Sequence, residues 1–148
     1  MLHPHGDSVL LDHQDPSLSG VQNPGSRPNL QFAQLTNAQL QNANLEGAQL
    51  ADVTFNSADL SHANLKNSLL EGAELHQVDL TSADLRGADL TRASLYDCRL
   101  THTDLRDANL RKADLTRVDL TAALLDGADL RGAKLSEAKL PKGLDFKR

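Results

Sequence analysis

The 148-residue chain has no Trp, one Tyr, one Met and three Phe, so a core built on large rings is excluded. Leu and Ala must supply the interior. A single Cys cannot close an intramolecular disulfide or assemble a thiolate metal cluster. No apolar run approaches the ~20 residues that a membrane-spanning helix needs. No basic segment precedes an apolar stretch at the N-terminus, where Val9-Leu10-Leu11 is too short for a signal-peptide core. The expectation is a cytoplasmic chain in a reducing setting, away from membranes. The net charge of −5 argues against direct nucleic-acid binding.

What the chain has in abundance is Leu at a fixed interval. From Leu30 to Leu140 every fifth residue is Leu, with Phe55 the one substitute. Two residues before each stands a small side chain, most often Ala, with Pro28, Val53, Ser68, Val78, Cys98, Thr103 and Val118 as exceptions. Between the two sits a polar residue, usually Asp, Asn or Gln. The unit reads Ala-(Asp/Asn)-Leu-X-X.

A period of five suits neither a helix nor a flat strand. A helix advances about 100° per residue, so Leu at this spacing would wander around its axis. A regular strand would send alternate Leu residues to opposite faces. A short extended Ala-Asp-Leu stretch followed by a corner satisfies the pattern, with Ala and Leu pointing one way. Repeated, it winds into a solenoid with a dry interior. Ser and Thr, in this reading, sit at exposed corners.

The unit resembles that of the pentapeptide repeat proteins, over Asn29 to Leu140. The resemblance implies an all-β fold, a right-handed quadrilateral β-helix with four units per coil. Twenty residues then make one turn, and positions twenty apart stack. The sequence agrees: Val78, Cys98 and Val118 share a column, as do Gly47, Gly87 and Gly127 at a corner that tolerates positive φ. Ser61, Thr81, Thr101 and Thr121 share another, a candidate hydroxyl ladder. Nearly six coils follow, a rod roughly 28 Å long at ~4.8 Å per coil. Residues 1–28 read as a flexible tail or irregular N-terminal cap, and residues 141–148 as a C-terminal cap, with Leu144 and Phe146 folding over the last coil. The amide-rich early units are similar to those of cyanobacterial members, a bacterial origin.

No catalytic, cofactor or metal site emerges. His62 and His102 share a corner but lie two coils apart, roughly 10 Å, too far to hold one metal. His3 and His5 could chelate a metal weakly from a flexible tail, but these two, His13 and His76 read first as solvated surface histidines. Cys98 points inward, where a thiol is inert. No phosphate loop, carboxylate dyad or zinc signature is present, and flat solenoid sides lack the concave pocket that catalysis favours. The chain is expected not to be an enzyme.

Charge is more informative. Residues 29–84 carry seven acids against Lys66 alone, whereas residues 85–140 carry nine acids and ten bases. Arg92, Arg111, Lys112 and Arg131 gather at one corner and form a candidate docking patch for an acidic partner. Arg86 and Arg106 stack at another corner. The Asp79, Arg99, Asp119, Lys139 column alternates in sign and reads as a self-paired ladder. Leu69, Leu124 and Tyr96 are expected as isolated exposed apolar groups.

Two functions compete. One is a non-catalytic scaffold whose flat sides meet a protein partner, as a monomer or a weak end-to-end dimer. The other comes from the resemblance: some pentapeptide repeat proteins mimic DNA and modulate DNA gyrase. That role requires a continuous acidic surface, from which the second half of this chain departs.

Overall fold

A computed structural model describes residues 27–144. Its architecture is a stack of extended segments joined by tight corners. The residue between Ala and Leu pairs in parallel with the residue twenty positions on. Asn29 bridges Gln49, Gln49 bridges Leu69 and Leu69 bridges Asp89, and equivalent bridges continue to Asp119 with Lys139. Four five-residue units separate each bridged pair, so four sides close one circuit.

The two residues after Leu make each corner. The amide of the next small residue returns to the Leu carbonyl, as in Ala33 to Leu30 at 3.0 Å and Ala63 to Leu60 at 3.1 Å. The second corner residue is left-handed, with φ of 61° at Phe32, 58° at His102 and 64° at Gly87. A closed turn with positive φ only at its third residue is type II. Glycine eases this conformation, but here Asn, Asp, Ser, His, Arg and Lys adopt it too. The winding therefore imposes it at a cost of ~1–2 kcal/mol per non-glycine corner.

Backbone accounting explains why Asp or Asn precedes Leu. Around Leu60, its own amide donates forward to Asp79 at 2.8 Å and His62 donates forward to Thr81 at 2.9 Å. The Asp79 amide donates back to Ala58 at 3.0 Å. Only the amide of the first corner residue lacks a backbone partner in this scheme. The Asp or Asn side chain two residues earlier accepts it: Asp59 from Ser61 at 2.9 Å, Asp79 from Thr81 at 2.9 Å, Asn64 from Lys66 at 3.2 Å. A short carboxylate or amide is the side chain that reaches its own backbone two residues on. The polar middle residue is thus a structural cap as well as a surface group.

The Leu column points inward, as the spacing requires, and Leu50, Leu60, Leu90 and Leu110 are fully buried. Phe55 fits among them beside Val53, also fully buried. Val78, Cys98 and Val118 occupy the small position of one side and are buried. Ser68 and Thr103, which the spacing puts at small positions and not at the exposed corners expected of the other hydroxyls, are buried there. At the C-terminal end Leu135, Leu140 and Leu144 pack half-buried against the core. Phe146 and most of the expected N-terminal segment lie outside the described residues.

Candidate interaction surface

Functional groups on this scaffold are outward side chains held in register, so their geometry follows from the stacking. The corner after Leu90, Leu110 and Leu130 brings the predicted basic patch together. The Arg92 amide donates to the Arg111 carbonyl at 3.0 Å, and that of Lys112 to Arg131 at 3.1 Å. The four side chains are exposed but not equivalent. Arg92 reaches Glu71 at 3.4 Å. Arg131 lies along Asp129, its Nε donating to Oδ1 at 2.9 Å, and this bond holds the Asp129 carboxyl down at about 2. Arg111 and Lys112 make no ion pair among the described residues, so their charges are the most available to a partner.

The other basic corner is self-neutralised. Arg86 grips Asp84 through bonds of 2.9 and 2.6 Å and reaches Asp104 at 3.6 Å. Arg106 grips Asp104 at 2.9 and 2.6 Å. Each arginine bond is the largest influence holding its carboxylate below the usual range. The sign-alternating column pairs Arg99 with Asp79 at 3.1 Å and Lys139 with Asp119 at 3.2 Å. No bridge joins Arg99 to Asp119.

Several expectations need correction. The corner hydroxyls form no mutual ladder: Thr121 Oγ1 turns back to Asp119 at 2.6 Å, drawn by the carboxylate that already caps its amide. Tyr96 is half-buried rather than exposed. Its hydroxyl accepts from Arg117 at 3.0 Å, that guanidinium lies 5.8 Å from the ring centre, and His76 meets the ring edge-on at 6.2 Å. His76 also places Nε2 2.8 Å from Ser94 Oγ. Nor is every side flat, because an open groove of about 530 Å³ is lined by Asp79, Cys98, Arg99, Arg117 and Asp119 among others.

Cys98 donates its thiol to the Leu75 carbonyl at 2.6 Å, and burial pushes its pKa up to about 12. Among the described residues no group of His, Cys, Asp and Glu could hold a metal ion. His3, His5 and His13 lie outside them. Leu69 and Leu124 are exposed, as expected, and so is Phe32, the most open of the three at 57%. The sequence reading missed Phe32, although its place as a second corner residue marks it as outward-facing. No helix of the described residues is long and apolar enough to cross a membrane.

Pentapeptide repeats match in eight copies, over residues 33–72, 58–95, 73–111 and 113–142. The chain belongs to the pentapeptide repeat family. Members of this family form right-handed quadrilateral β-helices, in accord with the pairing at intervals of twenty seen here. Among solved pentapeptide repeat proteins the chain is similar to Rfr23 of the cyanobacterium Cyanothece 51142. Identity is 30%, coverage is 71% of this chain and 65% of that one, and the TM-score is 0.50. It is similar to a trypsin-treated form of QnrB1, a plasmid-mediated fluoroquinolone resistance protein, with 29% identity, coverage of 76% and 58%, and a TM-score of 0.64. A pentapeptide repeat protein of the Arabidopsis thaliana thylakoid lumen matches at 28% identity, with coverage of 64% and 69% and a TM-score of 0.51. The chain thus spans less than two thirds of the length of the first two. No curated protein sequence matches it.

Proposed function

We propose that the chain is a non-catalytic protein-interaction module of the bacterial cytoplasm. Its rod, residues 29–140 in nearly six coils, presents registered side-chain columns to an acidic protein partner. The observation that carries this reading is the basic corner, where Arg111 and Lys112 stand exposed between Arg92 and Arg131 and, among the described residues, without ion pairs. Charged groups left free on a rigid frame steer and orient an oppositely charged surface. The test is affinity capture from source-cell extract with the native chain and with an Arg111→Ala/Lys112→Ala variant. A defined partner retained by the native chain and lost by the folded variant supports the reading. Equal capture by both removes the patch from it.

A second reading is modulation of DNA gyrase by DNA mimicry, favoured by the likeness to QnrB1. Within the repeats the net negative charge falls in residues 29–84, where seven acids face one base, and the basic corner interrupts it further along. A supercoiling assay with purified gyrase separates the two, since the mimic must inhibit or protect the enzyme at micromolar concentration and the scaffold does neither.

A further inference from the structure

One side of the solenoid is unbonded between two successive turns. Everywhere from Phe32 to Glu137 the second corner residue is left-handed, except at Ala122. The turn there still closes, with Ala123 donating to Leu120 at 3.1 Å. A closed turn without the positive φ fits type I geometry, which differs from type II by a flip of the central peptide. Such a flip accounts for the Thr121 carbonyl accepting no bond from the His102 amide of the preceding turn.

The consequences lie along that side. The equivalent bonds one turn earlier are intact: Leu80 to Arg99 at 2.9 Å, Ser82 to Thr101 at 2.9 Å and Arg99 to Val78 at 3.0 Å. Among the described residues, the amides of Leu100, His102 and Asp119 have no corresponding backbone bond, and Arg99 has no bridge to Asp119. Core bulk is not the cause. Val78 and Val118 stand on either side of Cys98 in its column, yet Arg99 bonds Val78 and Lys139 bonds Val118 at 2.9 Å. What singles out this seam is the corner at Ala122. Alanine lacks glycine's freedom in the left-handed conformation, and Ala122 is the one second corner residue from Phe32 to Glu137 that does not adopt it. The open groove lies over the same side, with Cys98, Arg99, Leu100, Thr101 and Asp119 in its wall. Across the rod the opposite side is fully bonded, Leu90 to Asn109 at 2.8 Å and Asn109 to Ala88 at 2.9 Å.

We propose that this seam is a hinge. The turns containing Leu100 and Asp119 separate on the unbonded side while the Leu90–Asn109 side holds, which gives the rod one direction of bending. Arg111 and Lys112 follow Asn109 on the bonded side, beside the line about which the rod bends, while Arg131 lies one turn further on.

Residue-resolved amide hydrogen exchange on the full chain tests it. Leu100, His102 and Asp119 are expected to exchange at least tenfold faster than Leu80, Ser82 and Arg99, with Leu90 and Asn109 remaining protected. Ala122→Gly, and independently Ala122→Asn, is expected to restore the left-handed corner and slow the three amides to the rate of their counterparts. Equal protection in the native chain overturns the proposal. So does equally fast exchange at Leu90 and Asn109, which means that the whole turn melts, and so does an Ala122→Gly chain whose seam stays fast.

Discussion

Thr103 donates its hydroxyl to the carbonyl of Leu80 at 2.7 Å, a reach along the stack that the Cys98 thiol repeats toward Leu75. A polar atom at the small inner position is therefore accommodated when it finds the carbonyl of the Leu 23 residues earlier. Ser68 occupies an equivalent position and its hydroxyl finds no partner among the described residues. An unsatisfied buried hydroxyl costs about 1–3 kcal/mol. Ser68→Ala is expected to stabilise the chain by about 1 kcal/mol, whereas Thr103→Ala loses a bond and leaves a void, a cost of about 1–2 kcal/mol. Urea denaturation of the two variants reads the opposite signs.

Acid should unfold the rod through its caps. The carboxyls of Asp84 and Asp104 are lowered chiefly by Arg86 and Arg106, those of Asp114 and Asp119 by the Thr116 and Thr121 hydroxyls, and that of Asp129 by Arg131 to about 2. A carboxyl depressed by folding stabilises the native state above its unfolded pKa, about 3.9 for Asp, and loses that contribution as pH falls through the folded value. Stability is expected to be level from neutrality to about pH 5 and to drop between about pH 4 and 2. Asp104→Asn keeps an amide oxygen to cap Arg106, as Asn109 does for Arg111, and should shallow the drop. Urea midpoints recorded against pH decide it.

The cost of truncating a Leu depends on its place in the stack. Leu90 is fully buried between neighbouring turns, whereas Leu140 is half-buried at the end. Leu90→Ala is expected to cost about 3 kcal/mol, and Leu140→Ala under about 1.5 kcal/mol, because an end turn has a neighbour on one side only. Thermal and chemical denaturation compare them.

Gly127 offers a test of the corner geometry. Its φ is 76°, and a β-carbon there would collide with Oδ1 of Asp107, which leans over it from the preceding turn. Gly127→Ala is expected to cost about 1–2 kcal/mol. In an Asp107→Ala background the collision part should vanish and the left-handed part remain. The double-mutant cycle separates the two contributions.

Much of this was legible in the residues. Leu at intervals of five demands an inward column, and the Val78, Cys98, Val118 alignment shows that twenty residues make a circuit. The amide-capping role of Asp59 or Asp84 was hidden, because it depends on which backbone amide the winding leaves over. The same is true of Tyr96, buried halfway by Arg117 from the next turn, a contact that no nearest-neighbour pattern along the chain displays. The basic corner could be placed from register alone. That Arg131 and Arg92 are already occupied while Arg111 and Lys112 are not depends on side-chain reach.

Because every bridge links residues separated by twenty, the rod can be shortened or lengthened by whole circuits without disturbing what faces what. Excision of residues 60–79 would seat Leu80 on the pairing partners of Leu60 and leave each exterior column on its own side. Removal of a single five-residue unit would keep the interior dry yet rotate everything downstream by a quarter turn. The Leu column survives such an edit, while the outward display is rewritten, so recognition changes far more than the repeat pattern of the interior does.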